Sequence, residues 1–122
     1  MMNVNFFNNG DYKPQPKDKV KINELTVFVQ PDRRRIRIGI KITPFQERPN
    51  LLITLRRADG QLLDDVTVIE TMHFDNEFTM HLRGADDPAG AYTVTVDLFY
   101  ETRNPPQDQK TTAFDIPTEQ EA

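Results

Sequence analysis

The sequence predicts an all-β domain, an antiparallel sandwich of two sheets. Three observations predict it. Apolar residues alternate with polar ones in short runs, the period of a half-buried strand rather than of a helix. The runs recur roughly every 8–12 residues, with Gly, Pro, Asn and Asp between them. Finally, Asp87-Pro88-Ala89-Gly90 feeds Tyr92 and then the longest alternating run, Tyr92, Val94, Val96, Leu98 and Tyr100. A sandwich commonly turns its bottom corner and re-enters its core in that order.

Each element follows from its own pattern. Residues 1–19 read as an N-terminal arm: Asn8-Asn9-Gly10-Asp11 is turn chemistry, and Lys13-Pro14-Gln15-Pro16-Lys17 favours an extended path. Phe6 and Phe7 in that arm either cover an edge of the domain or dock on a neighbouring subunit. Residues 20–117 form the sandwich and 118–122 an acidic tail. The first strand, 20–30, slips phase at Asn23-Glu24: Val20 and Ile22 share one parity, Leu25, Val27 and Val29 the other. A bulge or a change of sheet absorbs such a slip. In the second, Ile36, Ile38, Ile40 and Ile42 alternate with Arg35, Arg37, Gly39 and Lys41. Gly39 marks a bulge or a place where an aromatic such as Phe28 crosses the backbone.

The third strand buries Leu51, Ile53 and Leu55. Ala58-Asp59-Gly60-Gln61 is a hairpin signal. A less regular fourth strand is expected over 66–74, with a short one at 61–63 before it. A fifth carries Phe78, Met80 and Leu82, the Tyr92 strand is the sixth, and Thr112, Phe114 and Ile116 define the last. That gives seven or eight strands.

The 122 residues make one domain. No Cys is present, so neither a disulfide framework nor a thiolate metal site can form. No apolar run reaches the roughly 18 residues of a membrane span, and residues 1–19 lack the apolar core of a leader. Cytoplasm is the expected compartment, with a secreted form that has lost its leader as the alternative. A net charge of −4 disfavours general nucleic-acid affinity; Arg33-Arg34-Arg35 is short, sits beside Asp32 and lacks stacking aromatics.

The segment Asp87-Pro88-Ala89-Gly90-Ala91-Tyr92-Thr93-Val94 resembles the Asp-x-Gly-x-Tyr-x-Cys pattern of immunoglobulin domains, with one extra residue before the Gly and Val94 in place of the Cys. The resemblance implies an immunoglobulin-like β-sandwich with Tyr92 as its corner tyrosine, and Ile53 in the role of the missing Trp. Lacking Cys and Trp, the chain is similar to the bacterial immunoglobulin-like and fibronectin type III-like group rather than to antibody domains. A similar length and a similar Pro-x-Gly-x-Tyr corner also resemble the small intracellular proteinase inhibitors of bacilli. An inhibitory loop would then fall at 102–109.

Enzyme signatures are absent. The chain has no Ser, no phosphate loop, no dinucleotide fingerprint and only His73 and His81. No cofactor is expected, calcium being the one candidate. Loops after strands one, three and five share one end of such a sandwich and carry Asp32, Asp59, Asp64, Asp65, Asp86 and Asp87. Calcium takes six to eight oxygen ligands, and Asp is its usual loop donor; Asp is also an ordinary turn residue.

The opposite end gathers the loops holding Phe45 and Arg48, Phe74, and Arg103. Aromatic and Arg side chains anchor interfaces; Phe45 can equally plug the core. The sheets add two outer faces, a basic one (Arg35, Arg37, Lys41, His81, Arg83) and a Thr-rich one that includes Leu52 and Phe99. The expected function is therefore a non-catalytic protein-binding or assembly module. Its candidate contacts are Phe45, Arg48, Phe74, Arg103, Leu52 and Phe99, and its partner is another protein or a second copy. The alternatives are a calcium-dependent module, through Asp32, Asp59, Asp86 and Asp87, and a proteinase inhibitor.

Overall fold

The computed structural model describes residues 13–82 and 87–118. Phe6, Phe7, Arg83 and Asp86 lie outside them. Among the described residues a 3-10 turn, Lys17–Lys19, precedes seven strands: β1 Ile22–Val29, β2 Arg35–Ile42, β3 Asn50–Arg57, β4 Leu62–Val68, β5 Asp75–His81, β6 Gly90–Phe99 and β7 Asp108–Ile116. All pair antiparallel, in one sheet of order β1-β2-β5 and another of order β4-β3-β6-β7. This is an all-β sandwich, as expected.

The core comes from the inward parity of each strand. Ile36, Ile38 and Ile40 face Leu51, Ile53, Leu55, Val94, Val96 and Leu98 across the sandwich, all at 0% exposure. Burying each stabilises by about 1.5–3 kcal/mol. The phase slip in the first strand is real: the β1–β2 register shifts between Ile22 and Glu24. That shift keeps both Ile22 and Leu25 buried.

Tyr92 is the corner tyrosine. Its ring is 1% exposed and stacks on Phe114 at 5.3 Å, and its hydroxyl donates to the Pro88 carbonyl. Gly60 has φ +94, and the Asp59 carboxylate accepts the Gln61 amide, which closes the β3–β4 hairpin.

Two strands depart from expectation. The fourth occupies Leu62–Val68, not 66–74, because Glu70 takes a positive φ of 49° and turns the chain out of the sheet. The fifth begins at Asp75, where the β2 register extends to Lys41. At Gly39 it is Thr26, not Phe28, that closes in: a Cβ there would stand 2.7 Å from Thr26 Oγ1.

Side chains seam the two layers together. The Asp108 carboxylate accepts the Ile22 amide at 2.8 Å. Gln107 Nε2 donates to the carbonyls of Lys17 and Val20, both at 2.7 Å. The last part of the arm is tied in too: Gln15 bridges Phe45 in parallel, exchanging backbone bonds with Pro44 and Gln46.

Candidate functional site

The β2–β3, β4–β5 and β6–β7 connections meet at one end and lock each other. Phe45 and Phe74 meet edge to face at 4.8 Å. Tyr100 Oη donates to the Glu47 carbonyl at 2.9 Å. Asn50 spans two loops, its Nδ2 donating to the Tyr100 carbonyl and its Oδ1 accepting the Glu70 amide, each at 2.8 Å. Thr71 is buried; its amide reaches the Pro49 carbonyl and its hydroxyl donates to Asn76 Oδ1 at 2.8 Å. These bonds make the loop backbone a fixed platform.

On that platform the β4–β5 connection holds Ile69 and Met72 out to solvent, 68% and 66% exposed, on either side of buried Thr71. Beside it lies an open groove of about 390 Å³ bounded by Lys17, Glu47, Arg48, Glu70, Tyr100 and Glu101. Partial burial, and secondarily the Glu47 carboxylate, push the Tyr100 phenol up to about 12. It therefore stays a neutral hydrogen-bonding group at any ordinary pH.

The sequence-predicted residues divide. Arg48 is exposed on this end and lines the groove. Phe45 is 9% exposed and belongs to the core, with half-buried Phe74 against it. Phe45 therefore plugs the end of the sandwich and offers no exposed anchor. Leu52 and Arg103 come together elsewhere, in a shallow polar groove of about 410 Å³ on the outer face of the four-stranded sheet. Asp97 there accepts from Gln109 Nε2 at 2.8 Å. Phe99 is half-buried on the same outer parity, paired with Asn50.

Sequence reasoning missed Ile69 and Met72. For Ile69 the signal was present in the parity: Val66 and Val68 point one way, so Ile69, one step on, falls on the other side. Met72 shares the parity of Val66 and Val68, and the turn at Glu70 takes it out of that pattern.

Among the described residues, no three His, Asp or Glu side chains gather to hold a metal ion. The Asp candidates serve their own turns. Asp32 accepts the Arg34 amide and Arg35 Nε, bonds that hold its carboxyl below the usual carboxylate range. Asp59 caps Gln61, and Asp87 accepts the Ala89 amide with Arg33 Nη2 3.8 Å away.

The face expected to be basic is mixed. Lys41 lies between Glu24 and Asp75, and Gly39 lies beside Glu77. Only the Arg35, Arg37 and His81 half is basic.

These features define an all-β sandwich of two antiparallel sheets with a hydrogen-bonded, partly apolar loop end. No protein-family model matches the chain, and no curated protein matches it. Solved structures do. The chain is similar over 80% of its length to part of Bifidobacterium dentium β-glucuronidase complexed with coumarin-3-O-glucuronide, at 15% identity and a TM-score of 0.60. Lactobacillus rhamnosus β-glucuronidase matches the same share at 17% identity and 0.50. A glycosyl hydrolase family 2 member from Bacteroides cellulosilyticus does so at 9% and 0.50. The chain spans 18%, 16% and 15% of those proteins. Identities this low establish the fold alone.

Proposed function

We propose that this chain is a non-catalytic β-sandwich module that binds a protein through its loop end. The observation that carries the reading is the placement of Ile69 and Met72. Two large apolar side chains stand about two-thirds exposed, three residues apart, on a connection whose backbone is fixed by Asn50, Thr71 and Pro49. Folding gains nothing from holding them in water; contact with a partner removes them from it. A fixed loop also loses little conformational entropy on binding. Arg48 and the carboxylates of Glu47, Glu70 and Glu101 supply a polar rim.

The similarity to a portion of 15–18% of each glycosidase supports a module of accessory size, without a complete active site of its own. The test is affinity capture from the native host with wild type and with Ile69→Ser/Met72→Ser as baits. A protein retained by wild type and lost by the double variant supports the reading. Equal retention by both counts against it.

A further inference from the structure

The outer face of the three-stranded sheet has its charges sorted along the strands. Toward the β1–β2 turn stand Phe28, 64% exposed, then Arg35 and Arg37, and His81. Toward the other end stand Glu24, Lys41, Asp75 and Glu77. The register puts Phe28 and Thr79 on either side of Arg37, and Thr26 and Glu77 on either side of Gly39. Among the described residues neither Arg37 nor Glu77 makes an ion pair.

We propose that a second copy of this chain docks on this face, about a two-fold axis running across the strands between the Arg37 and Gly39 rows. This goes beyond the loop-end reading and shares no residue with it. Such an axis reverses strand direction, so the basic half of one copy covers the acidic half of the other. Arg37 of each copy then lies over Gly39 of the other, beside Glu77. Gly39 presents no side chain, and the Thr26 hydroxyl leans over it, 2.7 Å from where a Cβ would stand. The guanidinium meets a hydroxyl and a carboxylate, and the contact forms twice by symmetry.

Phe28 of each copy covers Thr26 of the other and leaves water. The axis also opposes Arg35 to Lys41. Each is already paired with its own carboxylate, Arg35 with Asp32 at 2.8 Å and Lys41 with Glu24 at 4.0 Å, which blunts the repulsion.

The size of the face sets the strength. Three strands about 4.8 Å apart and eight residues of about 3.3 Å each cover on the order of 400 Å². A standard interface buries about 800 Å² per partner. The dimer is accordingly weak and salt-sensitive.

Sedimentation of the full chain from about 10 μM to about 1 mM at low salt tests it. Wild type dimerises in this range. Arg37→Glu and Glu77→Arg are each monomeric alone, and their equimolar mixture dimerises, because each chain supplies the charge the other lost. A wild type still monomeric at about 1 mM, a dimer untouched by either substitution, or a mixture that stays monomeric overturns the inference. A dimer abolished by Ile69→Ser/Met72→Ser instead overturns it while favouring the loop-end reading.

Discussion

Tyr92→Phe isolates one hydrogen bond at the corner of the sandwich. The ring is 1% exposed, stacks on Phe114 and carries the Arg57 guanidinium 5.5 Å from its centroid. Phe keeps all of that apolar contact, so neither a cavity term nor a transfer term applies. What is lost is the hydroxyl that donates to the Pro88 carbonyl, within a buried site. A buried acceptor left without a donor costs about 1–3 kcal/mol.

Taking about 2 kcal/mol, and about 4 °C per kcal/mol for a domain of this size, the melting midpoint falls by about 8 °C. With a urea slope of about 1.5 kcal/mol/M, the urea midpoint falls by about 1.3 M at unchanged slope. Tyr92→Ala, which also empties the ring site, costs about 3–5 kcal/mol. A Tyr92→Phe variant within about 0.5 kcal/mol of wild type would refute the argument that the corner depends on this bond.

Further outcomes follow from the same structure. Ile69→Ser/Met72→Ser keeps its unfolding free energy, read by urea denaturation, within about 0.5 kcal/mol of wild type, since neither side chain contributes to the core. In a spectrophotometric titration one tyrosine ionises near pH 12 in wild type, and that step is missing in Tyr100→Phe. Because folding raises this pKa, the associated stability is full below about pH 10.0 and is lost as pH rises toward 12; the pH dependence of unfolding over that window disappears in Tyr100→Phe. Asp32 behaves in the opposite sense. Its carboxyl is depressed, first by the Arg34 amide and then by Arg35, so the stability it adds is present above about 3.8 and fades as pH falls through the lower folded value. The deficit of Asp32→Asn, read by thermal melts, is present at neutral pH and vanishes in acid.

The inward half of the molecule was legible because burial imposes a period of two. Ile36 to Ile42, Leu51 to Leu55 and Tyr92 to Leu98 announce their faces one residue at a time, and the phase slip at Asn23-Glu24 announces the bulge. The Tyr92 corner was legible because its chemistry is local: the hydroxyl reaches only four residues back.

The end of the fourth strand was not legible, because it depends on Glu70 adopting a positive φ and on the Asn50 side chain twenty residues away. Phe45 was open to two readings, anchor or plug, since only its contact with Phe74 decides between them. The charge on the outer face of the three-stranded sheet was misread for a related reason. Adding His81 and Arg83 of the neighbouring strand to Arg35, Arg37 and Lys41, with that strand begun at Phe78, omits Asp75 and Glu77 at its true start and Glu24 on β1, which the register places beside them.

On the proposed reading, Ile69 and Met72 form the apolar heart of a protein-binding end. The most direct measurement is the affinity of a purified, captured partner for wild type and for Ile69→Ser/Met72→Ser, beside a Leu52→Ser/Arg103→Ala variant of the other groove. Truncating central apolar anchors costs about 1–2 kcal/mol each, so the loop-end variant should bind about 30- to 1,000-fold more weakly, with the groove variant unchanged. Equal affinity of the loop-end variant and wild type, or a loss confined to the groove variant, contradicts binding through Ile69 and Met72.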